Sequence, residues 1–122
     1  MNDAPMQLRP VSTTVDMDAI RAYAHLTGDL NPIHLDPAFA ATTAMGGVIA
    51  HGTFSLNLIT QSLRLTLGEE RMRGLVLDVR FVRPVRPGDE LTTAGEAAGP
   101  GTYAVRVLNQ RGEPVIEGTA GS

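Results

Sequence analysis

Cysteine is absent from this 122-residue sequence. That removes thiol nucleophiles, disulfides and thiolate metal sites, and it leaves the redox compartment open. An excess of positive charge is also missing. Ten basic residues stand against thirteen acidic ones, for a net charge of −3, so no basic surface argues for nucleic acid or an anionic membrane as partner. No apolar run approaches the roughly 20 residues that span a bilayer. The opening MNDAPMQLRP holds no apolar stretch of the secretory kind, so a cytoplasmic protein with a loose start over residues 1–5 is expected. There is no His-Glu-X-X-His, no internal repeat, no low-complexity tract and no linker.

What is present is ordinary in amount and unusual in arrangement. Hydrophobic residues make up 43% and charged residues 19%, as in a soluble globular domain. The length suits one hydrophobic core and is too short for two, so a single domain over residues 1–122 is expected.

The chain is organised around Tyr23 to Thr53, YAHLTGDLNPIHLDPAFAATTAMGGVIAHGT. Within it, Gly28-Asp29-Leu30-Asn31-Pro32-Ile33-His34 brings a carboxylate, an amide and an imidazole into one short segment. Pro32 lacks an N–H and biases Asn31 away from helical dihedrals, and Gly28 can take positive φ. The segment is therefore expected to be neither a regular helix nor a strand, with Asp29 and His34 projecting from one ordered loop. An Asp and a His on a fixed loop suit general acid–base work. Asp-X-Asn-Pro is equally good turn chemistry, with both side chains bonding their own backbone. The residues alone leave both readings open.

Along the chain, Met6 to Val11 reads as a short first strand, confined to an edge or an end by Pro10. Ser12 to Thr14 offer N-caps, and Asp16 and Asp18 place negative charge in the first turn of a helix over about 15–26, which Gly28 stops. Asp36-Pro37 starts a short helix to about Ala41. A long helix over Thr53–Leu67 is apolar on most of its circumference, the mark of a buried helix, and Gly68 ends it. The rest reads as β: 75–82, 90–97, 103–108 and 115–119, separated by Pro87-Gly88-Asp89, Gly99-Pro100-Gly101 and Arg111-Gly112. Helices first and strands later, with one buried helix, predict an α+β fold with an antiparallel sheet folded round that helix.

GDLNPIH followed by Ala50-His51-Gly52-Thr53-Phe54 resembles the signature of the MaoC-like (R)-specific enoyl-CoA hydratases. Tyr23, Thr27, Gly28, Asp29, Asn31, Pro32, His34, Ala50, His51 and Gly52 carry it, and FVRPVRPGD, Phe81 to Asp89, is a weaker echo. The resemblance implies a hot-dog fold, a homodimer paired sheet edge to sheet edge, and reversible syn hydration of trans-2-enoyl-CoA. It implies Asp29 and His34 as the pair that activates water, with Asn31 orienting the loop or the carboxylate. No cofactor is implied, since coenzyme A is part of the substrate. Gly52, at the start of the long helix, is the candidate backbone donor to the thioester oxygen. Ala50, His51 and Thr53 are candidates to contact substrate, although His51 also suits a helix-capping role. Arg80, Arg83 and Arg86 are candidates for the coenzyme A phosphates, or form a solvated charged face.

The same residues admit three other readings. His25, Asp29, His34 and His51 together could hold zinc, although the sequence lacks the usual metal motifs and the family uses no metal; His25 alone reads as a helix-end histidine. A hot-dog thioesterase is the second, but many of these and the acyl-carrier-protein dehydratases carry an acidic residue on the central helix, and His51 to Leu67 has none. The third is a non-catalytic acyl-CoA-binding or assembly subunit, against which the presence of both Asp29 and His34 argues.

Overall fold

The fold is that of a computed structural model, which describes residues 5–122; residues 1–4 of the expected loose start lie outside the described residues. In chain order the elements are β1 (Ser12–Val15), α1 (Met17–Thr27), α2 (Pro32–Leu35), α3 (Pro37–Ala41), α4 (Gly52–Leu67), α5 (Glu69–Met72), β2 (Val76–Phe81), β3 (Asp89–Gly99), β4 (Thr102–Leu108) and β5 (Pro114–Gly121). The strands form one antiparallel sheet in the order β1-β3-β4-β5-β2. The core-facing residues come from the expected alternation. Tyr103, Val105 and Val107 of β4 are buried, as are Leu91 of β3 and Val115 and Ile116 of β5. They pack against Leu58, Ile59 and Leu63 of α4. Fully burying an Ile or Leu side chain stabilises a fold by roughly 1.5–3 kcal/mol, so this helix–sheet layer dominates the stability.

The first strand is displaced from where it was expected. Residues 6–11 do run beside β3: Gln7 bridges Glu96, the Leu8 N–H reaches the Gly95 carbonyl and the Thr93 N–H reaches the Val11 carbonyl. Pro10, with no N–H to give, stops that run from forming a continuous ladder. The strand proper is Ser12–Val15, in the residues expected to cap the helix. Asp16 takes the cap instead, its carboxylate accepting from the Ala19 N–H at 2.8 Å. Gly28 ends α1 as expected, at φ +77°, with its N–H on the Ala24 carbonyl. Asp36 caps α3 through the Ala38 and Phe39 N–H groups.

The long helix departs from expectation in one respect: it is not buried all round. Its inward face carries Ser55, Leu58, Ile59, Ser62 and Leu63, while Leu65 is 58% exposed. Ser62 is tolerated inside because its hydroxyl donates to the Arg9 carbonyl. Gly68 breaks the helix, and the chain resumes as the single turn α5, which the sequence reading left out.

Candidate active site

The site is built where α1 stops. Beyond Gly28, the Asp29 N–H points to Thr27 Oγ1 at 3.3 Å, and Asp29 Oδ1 accepts from the Asn31 N–H at 3.3 Å. Asn31 then acts as an N-cap: its Oδ1 accepts from the Ile33 N–H at 3.1 Å, and Pro32 takes the first helical position. The segment expected to be all loop therefore contains a helical turn, α2. Asp29 stands before that turn and His34 on it. Pro32 is the reason, since its fixed φ suits the first residue of a helix as well as it forbids a later one.

His34 is buried and Asp29 is not; their side chains are 10% and 54% exposed. His34 Nδ1 lies 2.7 Å from the Ile49 carbonyl. A carbonyl only accepts, so Nδ1 carries hydrogen and Nε2 of the neutral ring presents a lone pair. That lone pair faces Asp29 Oδ2 at 3.8 Å, beyond hydrogen-bond length. Two acceptors separated by this gap suit one water that donates a proton to each and turns its own lone pair outward.

His51 lies beneath them. Its ring stacks on His34 with centroids 3.8 Å apart and planes 24° apart, and Tyr23 meets its face edge-on at 5.1 Å. Nε2 lies 3.0 Å from the Asp29 carbonyl, while Nδ1 is buried without a partner among the described residues. His51 occupies the N-cap position of α4 but makes no side-chain cap bond. Asp29, His34 and His51 bring one donor atom each to within 4.8 Å of one another. They fit a metal poorly. An ion in the plane of one stacked ring lies out of the plane of the other. His25 is apart from this cluster, exposed in the last turn of α1.

The Ile49 carbonyl that fixes His34 belongs to a strap, residues 45–50, held from both ends. The Ile49 N–H donates to the Ile33 carbonyl and the Ala50 N–H to the Val85 carbonyl. Arg86 donates to the carbonyls of Met45 and Gly47, so its guanidinium is engaged inside the protein. Arg80 pairs with Glu117 at 3.0 Å, and Arg83 donates to the Pro114 carbonyl at 2.8 Å. Between the strap, α4 and residues 81–85 lies an apolar cavity of about 360 Å³, lined among others by Ile49, Ala50, Gly52, Phe81, Arg83 and Val85. His51 also lines it, but Asp29 and His34 do not. Thr53 is turned away, its Oγ1 accepting from the Tyr23 hydroxyl at 2.7 Å. Ile49, Phe81 and the carbonyl-binding role of Arg86 were not expected. A main-chain carbonyl has no sequence signature, and an Arg reads alike whether it meets phosphate or backbone.

The MaoC like domain family matches residues 2–118 of this chain. The chain belongs to that family. This MaoC-like chain is 36% identical over 107 residues to the (R)-specific enoyl-CoA hydratase of Aeromonas caviae, covering 83% of its own length and 80% of the relative's. It is 40% identical over 76 residues to the 3-hydroxybutyryl-CoA dehydratase of Methylorubrum extorquens, covering 62% of itself and 48% of that protein. Among solved structures, the (R)-hydratase of A. caviae superposes with a TM-score of 0.78 at 31% identity, over 98% of this chain and 94% of the other. An R-hydratase from Pseudomonas aeruginosa superposes equally well, with a TM-score of 0.78 at 32% identity over 98% and 79%. The α+β architecture, a five-stranded antiparallel sheet against a central helix, is the hot-dog fold of these hydratases.

Proposed function

We propose that this MaoC-like domain is an (R)-specific enoyl-CoA hydratase, adding water reversibly and syn across the double bond of a trans-2-enoyl-CoA to give an (R)-3-hydroxyacyl-CoA. The observation that carries the reading is the 3.8 Å gap between Asp29 Oδ2 and His34 Nε2, two acceptors close enough to share one water. Water held there gives one proton to the pair as its oxygen bonds to Cβ, and the pair returns a proton to Cα. Because the two groups adjoin, oxygen and hydrogen arrive on the same face, which is syn addition. Asn31 sets the carboxylate through its own N–H. Gly52 supports the reading as donor to the thioester oxygen. It is the first residue of a 16-residue helix whose N-cap side chain makes no cap bond, so N–H groups there are unspent and the helix dipole favours developing negative charge. The names of the similar proteins, hydratases and dehydratases of CoA thioesters, point the same way.

The working unit under this proposal is a homodimer of single-domain chains. Among the described residues β2 ends the sheet with one edge unpaired, beside the exposed Val76, Phe81 and Val82; an open apolar edge of this kind calls for a partner.

The test is the loss of enoyl absorbance of crotonyl-CoA in the ultraviolet, with Asp29→Asn alongside. General acid–base groups contribute about 10²- to 10⁴-fold each, so the variant is expected to lose that much turnover at unchanged stability. Hydration that survives the substitution removes Asp29 from the chemistry. Release of free thiol without hydration selects the thioesterase reading, and binding with neither reaction selects the acyl-CoA-binding subunit.

A further inference from the structure

We infer that His51 is a positioning residue, the spacer that sets the gap between Asp29 and His34. The Asp29 side chain is half exposed, and among the described residues no side chain donates to it. Its location therefore follows its backbone, and the Asp29 carbonyl is tied by His51 Nε2 at 3.0 Å. The His34 ring is fixed in its plane by the Ile49 carbonyl, and its face rests on the His51 ring at 3.8 Å. One buried side chain thus touches both members of the pair, at the main chain of one and the ring face of the other. It also immediately precedes Gly52, so the donor at the start of α4 is registered to the same point.

A packing role does not account for this arrangement. A carbonyl partner requires hydrogen on Nε2, which leaves Nδ1 as a bare acceptor, buried and unpartnered. Unpartnered buried polar atoms are uncommon in native proteins because they cost stability. A phenylalanine would fill the space without that cost. The orphaned Nδ1 is the consequence of needing an N–H on the opposite side of a small flat ring, which this tautomer of histidine supplies.

The activity arm of the test rests on the hydratase reading; the spectroscopic arm does not. His51→Phe keeps the stack and loses the donor, His51→Gln keeps a donor and loses the stack, and His51→Ala loses both. A misplacement of about 1 Å can cost up to 10²-fold in rate, so His51→Ala is expected to lose about 10- to 100-fold in kcat with KM little changed, and His51→Gln to recover part of that loss. Variants that fold with the parent's kcat overturn the inference. So does a raised KM at unchanged kcat, which would make His51 a substrate contact. In the unsubstituted protein, nitrogen-15 spectra of the imidazoles are expected to show the His51 proton on Nε2, slow to exchange; a proton on Nδ1 overturns the inference even if no variant folds. Should the parent hydrate no enoyl thioester, the hydratase reading falls. His51 is then judged by whether His51→Gln shifts the His34 ring signals, as expected, or leaves them in place, which overturns it.

Discussion

Gly52 lies under the ring of Phe81, so close that a Cβ on the glycine would stand 3.0 Å from Cε1 and 3.3 Å from Cδ1. Phe81 is 56% exposed, so its ring has room to yield. Gly52→Ala is therefore expected to fold, with Phe81 displaced toward the cavity mouth and kcat/KM lowered about tenfold or more, since oxyanion donors act only at close range. Phe81→Ala on the Gly52→Ala background is expected to return part of the loss. A double-mutant cycle in steady-state kinetics checks this; strict additivity would mean that the ring and the glycine act separately.

Arg86 is expected to act at one remove. Its guanidinium holds the Met45 and Gly47 carbonyls, and the strap it secures supplies the Ile49 carbonyl to His34. Arg86→Gln should lower kcat and the thermal midpoint together while leaving the affinity for free coenzyme A unchanged. Weakened binding of coenzyme A measured by calorimetry would return Arg86 to the phosphate-binding role the sequence suggested.

The unpaired edge of β2 specifies a register for the proposed dimer. If two copies pair antiparallel about Val79, Asp78 of each faces Arg80 of the other, and Leu77 faces Phe81. Asp78 makes no ion pair among the described residues, and opposite charges across a ladder are favourable where like charges are not. Asp78→Arg is expected to weaken the dimer, and the double swap Asp78→Arg with Arg80→Asp to restore it, by sedimentation equilibrium. A single swap that leaves the mass unchanged would place the interface elsewhere.

Acid should weaken the sheet through two glutamates. The Asn109 amide, then Arg111, holds the Glu113 carboxyl below its usual range, and the Arg106 guanidinium does the same for Glu96. Each carboxyl binds a proton less readily folded than unfolded. Their stabilisation is therefore whole above the unfolded value, near about 4.3, and is lost as pH falls through the lower folded value. The urea midpoint of the parent should fall over that window, and the gap between parent and Glu113→Gln should close. A gap independent of pH would show that Glu113 contributes by packing or by its uncharged hydrogen bonds.

Much of this was legible in the sequence, for reasons that differ by residue. Gly28, Asp36 and Gly68 announced the ends of their helices because capping chemistry is local. Tyr103, Val105 and Val107 announced a half-buried strand by alternation. Asp29 and His34 were legible as a pair through the motif. The gap between them was not, because it depends on the Ile49 carbonyl and on the ring of His51. The inward face of α4 was obscured for a related reason. Leu65 points out and Ser62 points in, and Ser62 is accommodated by Arg9, a residue 53 positions away. Pro10 was read as confining a first strand over residues 6–11 to an edge or an end, but the place where pairing becomes regular, Ser12 against Thr92, is decided by β3.

Every side chain assigned to the chemistry lies between residues 29 and 52, yet the strap that orients them is fastened to Val85 and Arg86, beyond the following strand. A nascent chain that has emerged only as far as residue 80 would thus hold all of the proposed reactive groups and the hydrogen bonds among them, but neither anchor of the strap. On the proposed function, competence is expected only late in synthesis, once the turn after β2 has closed on the strap. A chain truncated there would still carry GDLNPIH and Ala50-His51-Gly52, the core of the family signature, and is expected to be inert.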